Sequence, residues 1–131
     1  MSTYLIDSDV LIDYFKRRKE AVELINKLGS SGELAISVLS VTELRAGWEI
    51  DLAEKHIPDL YAIFQRVVVT QEIAEIAGEY RKEYGKRGIT LPTIDVLIAS
   101  TAILNNYVLV TRNIKHYPLP ELSLYKNPYG K

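Results

Sequence analysis

Four short apolar runs constrain this chain more than any other feature: Thr3–Ile6, "LAIS" at 34–37, "VVV" at 67–69 and "YVLV" at 107–110. They favour β-branched residues and lack polar alternation. A strand with one wet face alternates apolar and polar side chains, whereas a strand covered on both faces reads as a continuous apolar run. The segments between the runs carry helical spacing. Strands separated by helices in this way build a parallel sheet with helices on both faces, so the chain is α/β. "LSLY" at 122–125 offers one further edge strand, in a tail carrying Pro118, Pro120 and Pro128.

The helical segments fall at about 9–15, 21–28, 39–48, 51–65, 71–86 and 93–105. "GSSG" at 29–32 reads as a breaker, Pro58 as a break or kink, and "KRGITLP" as the loop before the last helix. No repeat, linker or low-complexity tract divides the 131 residues, a length that suits one domain spanning 1–131.

Composition narrows the function. The chain is 47% hydrophobic and 25% charged, as ordinary globular proteins are. A formal charge of −1 supplies no global field for nucleic acid, so such binding must rest on a local patch or a metal ion. With no cysteine, disulfides, thiolate zinc sites and cysteine nucleophiles are excluded. The start lacks a basic segment followed by a long apolar run, and no stretch approaches the roughly 20 apolar residues that span a bilayer. We expect a cytoplasmic protein with no membrane association.

Parallel α/β sheets bind ligands beyond the carboxyl ends of their strands. Here those positions are Asp7, Ser37, Thr70 and Thr111. Asp7 alone would be explained as the cap of a helix beginning near Asp9. Glu43 fits a capping box with Ser40 as the cap, yet Ala46 and Gly47 leave room beside its carboxylate on the same helix face. Asp95 is the most telling. It continues onto a face formed by Ile98, Ala99 and Ala102, with Ser100 and Thr101 roughly opposite. A carboxylate on an apolar stripe is costly unless paired, hydrogen-bonded or bound to a cation. Three such acids from separate elements would repel one another unless a divalent ion neutralised them. Oxygen donors without cysteine point to Mg²⁺ or Mn²⁺, which keep water ligands and can activate one against a phosphodiester.

Asp7-Ser8 followed by "VLIDYF", then "TEL" with "AG" (Thr42–Gly47), "LPTIDVLIASTA" and "VLVTRN" together resemble the PIN-domain ribonucleases. More narrowly, the ordered set resembles the VapC-type toxins of bacterial and archaeal toxin–antitoxin pairs. The resemblance runs from about residue 4 to residue 117. It implies an α/β/α sandwich with a central, mainly parallel sheet of four to five strands, and a Mg²⁺- or Mn²⁺-dependent endoribonuclease. It also implies an RNA substrate, a cognate antitoxin that blocks the site, and a homodimer. By motif match the metal-binding acids are Asp7, Glu43 and Asp95. The family commonly places a fourth acid just after the last strand. Here Asn113 stands there, a weaker ligand offering a carbonyl oxygen but no charge. Ser8 and Thr111 would be supporting hydroxyls.

Arg112 and Lys115 flank Asn113 and are candidates for phosphate contacts. "KRRK" at 16–19 and the scatter Arg81, Lys82, Lys86 and Arg87 read as solvated helix faces. His56 reads as exposed and uninvolved. His116 could assist proton transfer, although a metal-activated water does not require a base. The nine tyrosines and Trp48 read as core and interface material. An antitoxin would insert a basic or aromatic side chain into the acidic pocket.

Two rivals are weighed. A phosphoacceptor receiver domain needs an acidic pair after the first strand, an Asp ending the third and a Lys after the last. "VVV" is followed instead by Thr70-Gln71, and the last strand by Thr-Arg-Asn. The second rival is a catalytically inactive PIN domain that only binds RNA or protein. The missing fourth acid favours it, and the intact Asp7, Glu43 and Asp95 weigh against it.

Overall fold

The computed structural model describes residues 1–130. In order the elements are β1 (Ser2–Ile6), α1 (Ser8–Phe15), α2 (Lys19–Ser31), β2 (Gly32–Ser37), α3 (Val38–Ala46), α4 (Ile50–Ile63), β3 (Gln65–Val67), α5 (Gln71–Lys86), α6 (Thr93–Asn105), β4 (Val108–Val110) and β5 (Ser123–Leu124). A 3₁₀ turn at Ile114–His116 lies between the last two strands. The sheet order is β3-β2-β1-β4-β5 with every pair parallel. Helices cover both faces, as the α/β/α reading expects. Among the described residues no helix is long and apolar enough to cross a membrane.

The apolar runs are continuous because both sides of each strand are buried. Leu5, Ala35 and Leu109 belong to one core with Ala77, Tyr84 and Ala99, on the α5–α6 side. Their neighbours Ile6, Ile36 and Val110 belong to the other, with Val10, Leu24 and Leu44 of α1, α2 and α3. Leu5 sits beside Ala35 and Leu109 in register, so each core begins as a row across the sheet. The chain builds outward from β1 through β2 to β3, then returns to β4 on the other flank of β1. That reversal opens a crevice at the carboxyl ends of β1 and β4. Asp7 and Thr111 stand there.

The structure departs from three local expectations. "GSSG" does not break the chain, because α2 runs through Ser31. Ser30 donates its hydroxyl back to the carbonyls of Asn26 (3.1 Å) and Lys27 (2.9 Å), and Ser31 to that of Leu28, so neither competes for a turn. Gly32 is then required by a close approach: a Cβ there would lie 2.3 Å from the Ser2 carbonyl oxygen of β1. Helix α4 continues through Pro58, which is exposed together with Glu54, so the carbonyl left without a donor faces water. "VVV" extends past its strand. Edge strand β3 pairs with β2 only over Ala35–Ser37, so Val68 runs beyond the ladder and is exposed. Helix α6, apolar on almost every side in the sequence, is buried nearly all round, with Ser100 and Thr101 as buried as Ile98.

Candidate active site

The crevice is built from the ends of β1 and β4 and the starts of α1, α3 and α6. Asp7 is extended and its N–H donates to the Val110 carbonyl at 2.9 Å, continuing the ladder one residue past β1. Strand alternation then turns its side chain toward the same side as Leu5, where α6 lies. Asp7 is also the N-cap of α1, its Oδ1 accepting from the Ser8 N–H at 2.9 Å. The capping role and the site role coexist, because the carboxylate has a second oxygen. That Oδ2 accepts from the Thr111 hydroxyl (3.0 Å) and the Tyr117 hydroxyl (2.8 Å).

Glu43 has no capping role. The N-cap of α3 is Ser37, whose hydroxyl accepts from the Leu39 N–H at 3.1 Å. Ser40 lies inside the helix, buried, and Glu43 is the sixth helical residue. Its carboxylate instead meets the crevice. Burial raises its pKa, the charges of Asp7 and Asp95 raise it further, and the Ser8 hydroxyl opposes them. Asp95, in the first turn of α6, is likewise raised, by burial and then by Asp7, with His116 acting the other way. His116 Nδ1 lies 3.6 Å from Asp95 Oδ2. Asp7, Glu43 and Asp95 thus come together from three elements: the Asp7 charge raises the proton affinity of both Glu43 and Asp95, and the Asp95 charge adds to that of Glu43.

Three participants were not read from the sequence. Asp9 Oδ2 accepts from the Arg112 N–H at 2.9 Å and lies 3.4 Å from the Thr111 hydroxyl. Thr111 has one proton to give, and Asp7 is the nearer acceptor. Burial and the Asp7 charge push the Asp9 carboxyl up to about 6. Tyr117 is buried, and desolvation together with Asp7 drives its pKa far upward, so it stays a phenol that donates. Asp13, one turn beyond Asp9, is buried and receives Arg112 Nη1 at 3.0 Å, Arg18 Nε at 3.3 Å and the Tyr129 hydroxyl. The one available signal was the spacing of Asp9 and Asp13, which places two acids on one face of a mostly apolar helix.

The remaining candidates are placed as follows. Ser8 is half-buried beside Glu43, and Thr111 is fully buried. Asn113 has an exposed side chain, and its N–H donates to the Thr111 hydroxyl at 3.1 Å. Lys115 is exposed, while Arg112 turns its guanidinium to Asp13. Thr70 caps α5 away from the crevice. His56 departs from its expected exposure: it packs between Phe15 and Trp48, each 5.0 Å away between ring centres.

The model of the family described as "PIN domain" matches residues 4–121. Ribonuclease VapC1 of Methanocaldococcus jannaschii is 35% identical over 116 residues, 88% of this chain and 79% of the relative. Ribonuclease VapC19 of Mycobacterium tuberculosis is 35% identical over 123 residues, covering 90% and 95%. A solved toxin–antitoxin complex from Klebsiella pneumoniae superposes with a TM-score of 0.78 at 29% identity, over 96% of this chain and 98% of that one. With these matches, and with its acids gathered at the carboxyl ends of a parallel sheet, the chain belongs to the PIN-domain family.

Proposed function

We propose that this protein is an endoribonuclease that hydrolyses RNA phosphodiester bonds with Mg²⁺ or Mn²⁺ held by Asp7, Glu43 and Asp95, and that it is the toxin of a toxin–antitoxin pair. One observation carries this reading: three carboxylates from three elements meet beyond the sheet, where burial and the neighbouring charge of Asp7 make Glu43 and Asp95 hold their protons more tightly. The names of the VapC relatives supply the ribonuclease chemistry, and the Klebsiella complex supplies the antitoxin.

The donor set fits a hard divalent ion. It consists of carboxylate oxygens whose mutual repulsion an ion would relieve, with no sulfur and only His116 at its edge. Among the described residues no three acids or histidines form a ready-made cage. Mg²⁺ does not need one, since it is usually held by one or two carboxylates and keeps several waters. When bound, the ion supplies a water of lowered pKa and offsets charge on the phosphate.

The residues do the rest. Thr111, Tyr117 and the Ser8 N–H fix both oxygens of Asp7, so that carboxylate is oriented before any ligand arrives. Asn113 can lend a neutral oxygen, and His116 can hold a proton beside Asp95. The antitoxin, in this reading, offers a cationic or aromatic side chain to the same carboxylates, and the toxin works as a homodimer.

The test is cleavage of a mixed RNA pool in Mg²⁺ or Mn²⁺, with EDTA and Asp95→Asn as controls. Metal-dependent cutting that Asp95→Asn lowers by about 10²-fold or more supports the reading. Inert wild type on every RNA class, or equal cutting by the variant, sinks it and leaves a binding-only PIN domain.

A further inference from the structure

A second feature of the same face joins a cation, an aromatic ring and a cavity. Arg112, Ile114, Asn127, Pro128 and Tyr129 line a shallow cavity of about 230 Å³ at the edge of the loop that follows β4. Arg112 links it to the carboxylates. Its N–H donates to Asp9 at 2.9 Å, beside the Thr111 hydroxyl that reaches Asp7, while its guanidinium belongs to the cavity. The Arg112 guanidinium lies 5.6 Å from the centre of the Tyr129 ring.

Both side chains are held from below by Asp13, whose side chain is only 5% exposed. That anchoring has two consequences. Asp13 uses the Tyr129 hydroxyl and one Arg112 N–H, so ring and fork are fixed, while Arg112 remains 48% exposed with donors to spare. Two guanidiniums, Arg18 and Arg112, share the Asp13 carboxylate, which leaves one cationic charge to set against Asp9 beside them. A polyanion entering a site of several carboxylates needs such a cation close by, and a chain of net charge −1 supplies none globally.

We propose that this cavity is a nucleotide subsite for single-stranded RNA, in which a base flanking the cleaved phosphodiester stacks on Tyr129 and Arg112 contacts its phosphate. The inference rests on the ribonuclease reading above and extends it from the reacting atoms to the strand beside them. Stacking on an aromatic platform beside a cation is how sequence-tolerant single-strand sites are built, each stacked base contributing about 1–3 kcal/mol.

The test measures binding of a fluorescein-labelled single-stranded oligoribonucleotide by anisotropy in EDTA, on Asp95→Asn protein, across a salt series. Circular dichroism checks folding of each variant. Tyr129→Phe keeps the ring and loses the hydroxyl, Tyr129→Leu loses both, and Arg112→Gln loses the charge. The subsite predicts affinity lowered about 5-fold or more by Tyr129→Leu, within about twofold of the parent for Tyr129→Phe. It also predicts a salt slope reduced by about one for Arg112→Gln. Equal binding by Tyr129→Leu overturns the subsite and leaves the ribonuclease reading standing. Equal loss in Tyr129→Phe and Tyr129→Leu also overturns it, since the hydroxyl rather than the ring would then matter. A parent protein that binds no RNA in EDTA overturns the subsite and leaves the ribonuclease reading to the metal-dependent cleavage assay.

Discussion

Helix α1 carries two acidic regions that answer the cost of burying charge in opposite ways. At its start, Asp7 stands among Asp9, Glu43 and Asp95, and the carboxyl pKa values of those three neighbours move upward. One turn further along, Asp13 is buried as deeply as Asp7 but is surrounded by Arg18, Arg112 and Tyr129. The second arrangement is what a fold does to stabilise itself. The first is what it tolerates when the carboxylates serve something outside the chain. The contrast separates anchoring acids from candidate catalytic ones within a few residues of sequence.

Removing one acid from each region should give the largest difference. Asp13→Ala leaves two guanidiniums and a phenol without their partner, and should cost stability toward the low end of about 3–5 kcal/mol, because the arginines are 60% and 48% exposed. Asp95→Asn should leave the urea midpoint unchanged or raise it, since it removes a repelling charge. A midpoint that falls as far for Asp95→Asn as for Asp13→Ala would erase the distinction.

A bound metal ion should also distinguish the two regions. Millimolar Mg²⁺ or Mn²⁺ should raise the melting temperature of the wild type by a few degrees, because an ion bound only to the folded chain stabilises it. It should leave Asp95→Asn nearly unmoved, and should act on Asp13→Asn as on the wild type. A shift that survives Asp95→Asn would place the ion elsewhere.

The pH dependence is a smaller effect. The fold raises the Asp9 carboxyl from its ordinary 3.8 to about 6, so it favours the protonated form. The stability from this group is therefore fully present below its unfolded pKa and is lost as pH rises from about 4 through about 6. Stability measured on wild type minus Asp9→Asn should fall across that window and level off above it. A flat difference would mean that Asp9 titrates normally and is not part of the acidic cluster.

Much of this organisation could be read from residues alone, and the limits follow a pattern. Both-sided apolar runs announced the parallel sheet, because burial on two faces leaves its mark within each strand. Asp95 stood out because a charge beside Ile98 and Ala99 is anomalous on any helix. Ser40 and Glu43 show where local reasoning stops. Their spacing satisfied a capping box, but the sheet set the start of α3 at Ser37 and left that box unused. "VVV" failed for a related reason, since the pairing with β2 rather than β-propensity decided where β3 ends.

The sequence by itself determined which segments are strands and helices, that the sheet is parallel, and which acids are out of place among their neighbours. These are properties of short-range pattern and of transfer from water, which each residue carries with it. Only the tertiary structure decided which of those acids meet. Thr111 and Tyr117 reach Asp7, Arg112 reaches Asp9 and Asp13, and Tyr129 closes on Asp13, each across about a hundred residues of chain. Contacts between residues so far apart in the chain leave no periodicity to read. They exist because β4 was inserted beside β1, which brought the loop after one strand against the helix after the other.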